Sequence, residues 1–264
     1  KSIWIFKTLN FYQDKNFENL SKFNVPDYPH LGSFIWSFFW KFPFDSFEYL
    51  GRIFYVFIYV LSILSFSNCL RAELFEKLIF AILLISLTYN YELFSGLQDI
   101  LIFSFILFFA RISYLIFDKN SKSLNLPLIF ILLGIINLLC WFKNEGIFYS
   151  LFLLFSLLLN YKFSKNEKLS LVFGMVSIFL FRIFLFNYYG VDLNPDYFEM
   201  NKTISLDFSL ILFKLKTITF YLIIYLTQNP SYIITFPLLA YVIYKYSYKG
   251  LTMFILHFLI LNFI

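Results

Sequence analysis

The chain has 264 residues, of which 60% are hydrophobic, 24% aromatic and only 14% charged, with a mean hydropathy of +0.75. Ordinary soluble domains are about 45–50% apolar and about 25% charged, so the composition excludes a water-soluble globular enzyme, a disordered tail and a nucleic-acid-binding module. The net charge of +5 reads as loop charge on a polytopic helical membrane protein. The abundance of Phe, Ile, Lys, Asn and Tyr is what an AT-rich genome would write, and Cys69 and Cys140 sit in apolar runs that imply no disulfide framework.

Residues 1–50 precede the first long apolar run. Within them Val25-Pro26-Asp27-Tyr28-Pro29-His30-Leu31-Gly32 leads into an uncharged stretch from Leu31 to Trp40. The prolines fix φ and remove backbone donors, giving a rigid turn around a carboxylate. A short apolar helix of about three turns is expected to follow, lying at the membrane surface. The turn either presents Asp27, Tyr28 and His30 to a site or simply re-enters the helix with Asp27 as its cap. Phe34, Phe38, Phe39 and Phe42 read as lipid-facing or packing residues.

A charge at the bilayer centre costs roughly 2.5–3.5 kcal/mol on insertion scales, so charges mark the ends of spans. Uncharged runs cover 53–70, 78–91, 123–142, 146–161 and 250–264. Three further apolar segments carry or border a charge: 99–117 with Arg111, 169–188 with Arg182, and 217–244. The last contains Asn229-Pro230 and reads as one kinked crossing. About eight crossings follow, in an all-α, polytopic transmembrane bundle occupying 51–264.

Between the spans, Arg71, Lys77, Lys119, Lys122, Lys162, Lys165, Lys168, Lys245 and Lys249 collect on one side, which the positive-inside rule makes cytoplasmic. Lys41, Arg52, Lys143, Lys202, Lys214 and Lys216 fall on the other, with an acidic 189–207 loop. Residues 1–50 are then an extracytoplasmic loop. With Lys1 at its start and Ile264 inside an apolar run, the chain reads as a fragment lacking an N-terminal span and a C-terminal part.

Two further turns share the side of Asp27. Glu92 and Asp99 bracket Ser95-Gly96-Leu97-Gln98, and Asp99 opens a span, where a helix N-terminus favours a carboxylate. Lys143-Asn144-Glu145-Gly146 joins two apolar helices, either as a plain hairpin loop or as part of a site. Arg111 reads as snorkelling near a span end. Arg182, some two turns inside the outer end of its span, could bind a phosphate. Lys214 and Lys216 read as interface anchors. No nucleotide, dinucleotide or zinc motif occurs, and His30 and His257 stand alone.

These residues resemble the C-type membrane glycosyltransferases (GT-C), the superfamily of protein mannosyltransferases and lipid A aminoarabinose transferases, over roughly residues 1–160. Asp27-Tyr28-Pro29-His30-Leu31-Gly32 is similar to the Tyr-Pro-Pro-Leu/Gly turn ending the family's first extracytoplasmic loop, with His30 in place of its second Pro. Gly96-Leu97-Gln98-Asp99 is similar to a Gly-Tyr-Ala-Asp that opens a span, and Lys143-Asn144-Glu145-Gly146 to a Lys-Asn-Glu-Gly turn of several bacterial branches. Trp4 and Lys7 match the Trp and Lys that follow the family's principal acidic residue, which would then lie upstream of this chain.

The resemblance implies a polyprenyl-phosphate-linked sugar donor entering from the bilayer. Transfer with inversion would go to a glycan, lipid or protein acceptor outside the cytoplasm, in a bacterial inner membrane. It implies Asp27 or the upstream carboxylate as base. Asp99 could orient the acceptor or help hold a divalent metal, Mg or Mn. Lys143 and Arg182 could stabilise the polyprenyl phosphate, and Lys7, Tyr28, His30 and Glu145 belong to the same binding set. Three other classes stay open on residues alone: a transporter or flippase for lipid-linked saccharides, an O-antigen polymerase or ligase, and a structural membrane protein.

Overall fold

A computed structural model describes residues 3–191 apart from 16, 24–25, 27, 43–46, 89–95, 119–125 and 159–162, together with scattered helical positions between 209 and 241. Every regular element among the described residues is helical: α1 (Ile3–Tyr12), α2 (Leu31–Lys41), α3 (Ile53–Ser67), α4 (Leu74–Thr88), α5 (Asp99–Asp118), α6 (Leu126–Phe142), α7 (Glu145–Leu158) and α8 (Lys165–Tyr188), with short 3-10 turns at Phe17–Lys22 and Glu48–Arg52. The stretches Glu48–Ser67, Asp99–Ile116 and Lys165–Tyr188 are long and apolar enough to cross a membrane.

Six of the expected crossings coincide with helices α3 to α8. Four of these helices are shorter than the roughly 20 residues a span needs: α3 has 15 residues, α4 15, α6 17 and α7 14, and α3 reaches 20 only together with the 3-10 turn before it. The 250–264 run and Asn229-Pro230 lie outside the described residues, as do Glu92 and Lys214. Lys216 lies on an exposed helical stretch.

The chain divides into two compact units. The first, Lys1–Phe66 with Asn90–Leu193, holds all the described candidate residues. In it α1 and α2 run side by side in the same direction. At one end Ser33 Oγ donates to the Trp4 carbonyl (3.3 Å); at the other, Tyr12 stacks on Trp40 (4.1 Å) and Lys41 pairs with Asp14 (2.6 Å). Gly32, Ser33, Trp36 and Ser37 form the buried side of α2, while Phe34, Phe38 and Phe42 are about half exposed. Alternating small and aromatic residues thus let one face approach other helices closely.

That small face lies across the ends of α3, α5 and α6. Tyr55 of α3 donates to the Gly32 carbonyl (2.6 Å), and Phe54 stacks on Phe39 (4.5 Å). The Trp36 ring fills the space beside Gly96, whose φ of +80° is a left-handed conformation that glycine adopts freely. Helix α6 packs against α5, α7 and α8. Helix α8 starts at a capping box: Ser164 Oγ accepts from the Glu167 amide (3.3 Å) and Glu167 Oε2 from the Ser164 amide (2.7 Å).

The second unit, Ser67–Tyr89 with Asn194–Ile264, contains α4 and the scattered helical positions. The Glu73 amide donates to Glu76 Oε2 (3.1 Å) at the start of α4.

Only Lys143 and Asn144 separate α6 from α7. The turn closes through Gly146 N–H to the Lys143 carbonyl (3.0 Å) and Ile147 N–H to the Asn144 carbonyl (3.1 Å). A Cβ on Gly146 would collide with the Leu139 backbone, whereas one on Gly134, in the middle of α6, would meet nothing within 4 Å. Gly146→Ala is therefore expected to destabilise the protein by about 1–3 kcal/mol. Gly134→Ala should be neutral or stabilising by up to roughly 1 kcal/mol. Melting curves of the two variants in one detergent check the pair.

Candidate functional site

The three turns singled out above meet at one end of the first unit. Lys143 Nζ lies 2.9 Å from Asp99 Oδ1 and 3.4 Å from Glu145 Oε1. The Tyr28 hydroxyl donates to Glu145, 3.0 Å from Oε1 and 3.3 Å from Oε2. A continuous polar chain therefore runs Asp99–Lys143–Glu145–Tyr28, drawn from the start of α5, the α6–α7 link and the loop before α2. Asp99 and Glu145 side chains are 59% and 48% exposed and Lys143 only 19%. The carboxylates thus face outward around a recessed ammonium. Burial alone would push Lys143 down, but Asp99 and Glu145 outweigh it and hold the ammonium above the usual lysine range.

Beneath this surface lies a second, buried layer. Lys7 on α1 is fully buried and donates to the Tyr28 carbonyl (2.7 Å), while the Trp4 ring meets Tyr28 edge-on at 5.3 Å. Trp4 and Lys7 thus both touch Tyr28. Arg182 on α8, 4% exposed, donates to the Cys140 carbonyl (2.6 Å) and to Asn144 Oδ1 (2.5 Å). His30 is buried, its ring 6.4 Å from Phe11 and 6.1 Å from Phe186. Burial, then the charges of Lys7 and Arg182, lower its pKa well below the ordinary histidine value. It is therefore a neutral interior ring, not a group offered at the surface.

Sequence reading left out Gln98 and Asn144 as site residues. Gln98 is fully buried. With its amide oriented to satisfy both groups, the nitrogen donates to the Phe142 carbonyl (2.5 Å) and the oxygen accepts from the Ser33 amide (3.1 Å). It thus ties the α5 start to α2 and to the end of α6. The signal lies in the sequence in each case, an uncharged amide inside a turn that carries charged residues. Arg111 stays on α5, its guanidinium 5.7 Å over the Tyr114 ring, and Asp27 lies outside the described residues.

Among the described residues no three His, Cys, Asp or Glu side chains converge. Asp99 Oδ1 is taken by the Lys143 ammonium. Cys140 is a buried free thiol whose Sγ donates to Ser150 Oγ (3.4 Å).

No family model, curated protein or solved structure matches the chain.

The buried neutral His30 couples folding to pH. In the unfolded chain it takes up a proton near pH ~6.5, and the folded state resists that proton. The unfolded state therefore binds more protons, so stability is complete above about pH 6.5 and falls as pH drops below it. Melting temperatures from pH 8 to 5 should decline accordingly, and His30→Phe should flatten the decline. An unchanged slope in that variant counts against the coupling.

Proposed function

We propose that this chain is an integral membrane glycosyltransferase of the GT-C type. It would transfer a sugar from a polyprenyl-phosphate donor to an acceptor on the extracytoplasmic side of a bacterial inner membrane. The observation that carries the reading is the Asp99–Lys143–Glu145–Tyr28 chain. Three separated turns, each similar to a turn of that superfamily, converge there at one end of a helical unit whose longest helices can cross a membrane. The finer topology of about eight crossings, with α2 as an interfacial helix, belongs to this reading.

The chemistry asks for a carboxylate beside the acceptor nucleophile and a cation beside the departing phosphate. In the proposed reaction a carboxylate, Asp99 or Asp27, takes the proton from an acceptor hydroxyl. The hydroxyl oxygen bonds to the anomeric carbon from the face opposite the phosphate. The bond from that carbon to the phosphate oxygen breaks, and polyprenyl phosphate leaves with the electron pair. Lys143, recessed between two outward carboxylates, is the cation closest to the accessible face and suits the leaving phosphate. Tyr28 and Glu145 would hydrogen-bond sugar hydroxyls. The recess explains how a cation could be kept charged and oriented until a substrate phosphate competes for it.

The test is turnover of radiolabelled polyprenyl-phosphate sugars by the full-length protein in proteoliposomes, since this chain by itself is expected to be inactive. Release of polyprenyl phosphate is expected, with Asp99→Asn lowering the rate by about 10²–10⁴-fold. Unchanged turnover in Asp99→Asn would remove Asp99 from the reaction. Translocation of intact donor without cleavage would sink the transferase reading in favour of a flippase.

A further inference from the structure

Arg182 enters the proposed site as a candidate phosphate ligand, yet its surroundings assign it a different task. The inference rests on the reading of Asp99, Lys143 and Glu145 as the reacting face. Arg182 is 4% exposed. Its two terminal nitrogens are directed at two protein oxygens, the Cys140 carbonyl at 2.6 Å and Asn144 Oδ1 at 2.5 Å. The guanidinium also lies 5.8 Å from the Trp141 ring centre and 5.1 Å from that of Phe186.

Those two oxygens bracket Lys143 in the chain. Cys140 is in the last turn of α6, where carbonyls lack intrahelical partners and attract cations. Asn144 is the second residue of the link. A guanidinium presents its donors in a rigid planar fork, so holding both oxygens fixes the spacing between the helix end and the link. Lys143 stands between them in the chain. It then reaches Asp99 on one side and Glu145 on the other.

We propose that Arg182 is a positioning residue: from inside α8 it clamps the 140–144 turn and so places the Lys143 ammonium between its two carboxylates, without touching the substrate phosphate. The partition of labour follows exposure. Lys143 is the cation a ligand reaches, and Arg182 the cation that sets where it stands.

The test uses the full chain in nanodiscs with its lysines reductively methylated in 13C, so that each reports its own titration. The Lys143 signal is identified by its disappearance in Lys143→Arg. In the parent it should titrate above the ordinary lysine range. Asn144→Ala keeps every charge but removes one arm of the clamp. Arg182→Lys keeps the charge but cannot span both oxygens. Both should lower the Lys143 midpoint by about one pH unit or more, and an unmoved midpoint in both overturns the proposal. Binding of farnesyl phosphate supplies a second readout. Any loss of affinity in Arg182→Lys should accompany the Lys143 shift and be matched in Asn144→Ala, which leaves the guanidinium in place. A loss of about tenfold or more with Lys143 unmoved would make Arg182 a ligand. If the parent itself binds no farnesyl phosphate, the lipid-phosphate reading fails while the lysine titration still decides the clamp. Should Arg182→Lys not fold, Asn144→Ala alone carries the titration.

Discussion

A two-residue link between two apolar helices is the constraint on which the site depends. Helices α6 and α7 can turn back so abruptly because Gly146 has no side chain to meet the Leu139 backbone. Once they do, the residues of the turn have three directions left, and each takes one. Asn144 goes inward to Arg182, Lys143 goes sideways to Asp99, and Glu145 goes outward to Tyr28. A longer loop would have relaxed all three contacts together. The polar chain is thus a consequence of backbone proximity before it is one of charge.

Charge then decides how the turn is held. Burying an ammonium or guanidinium is costly unless its donors are satisfied. Lys7 and Arg182 meet that demand with backbone carbonyls, of Tyr28 and Cys140, and with the Asn144 side chain. Each cation therefore grips a loop from within, one the stretch before α2 and the other the α6–α7 link. His30 lies within electrostatic reach of both and stays neutral. Both segments are thereby held from within, on a chain with few charged residues.

Much of this was legible in the residues, and the failures have physical causes. Uncharged runs located α3, α4, α6 and α7, and apolar segments carrying a single arginine located α5 and α8, because ionised groups avoid apolar interiors. Those runs overstate helix length, since an uncharged stretch such as 53–70 runs on past the end of α3 at Ser67. Strict alternation of crossings was enough to put Asp99, Lys143 and the loop before α2 at one end. Helix α1 was not expected as a helix, because Lys7 interrupts its apolar stretch and only tertiary packing buries that ammonium. The partners of Gln98, Asn144 and Arg182 were equally hidden. A polar residue in apolar sequence announces that it needs a partner, but which carbonyl supplies it depends on helices far away in the chain.

The two sides of α2 also set how the sequence can drift. Gly32 lies against the Gln98 side chain with no room for a Cβ, and Ser33 and Ser37 are buried. Phe34, Phe38 and Phe42 project from the opposite, exposed side, where any bulky apolar group serves. A lineage whose base composition moved away from A and T could trade those phenylalanines for leucine or valine at little structural cost. The glycine and serine positions have no such latitude. On this helix, steric necessity is confined to the inner face.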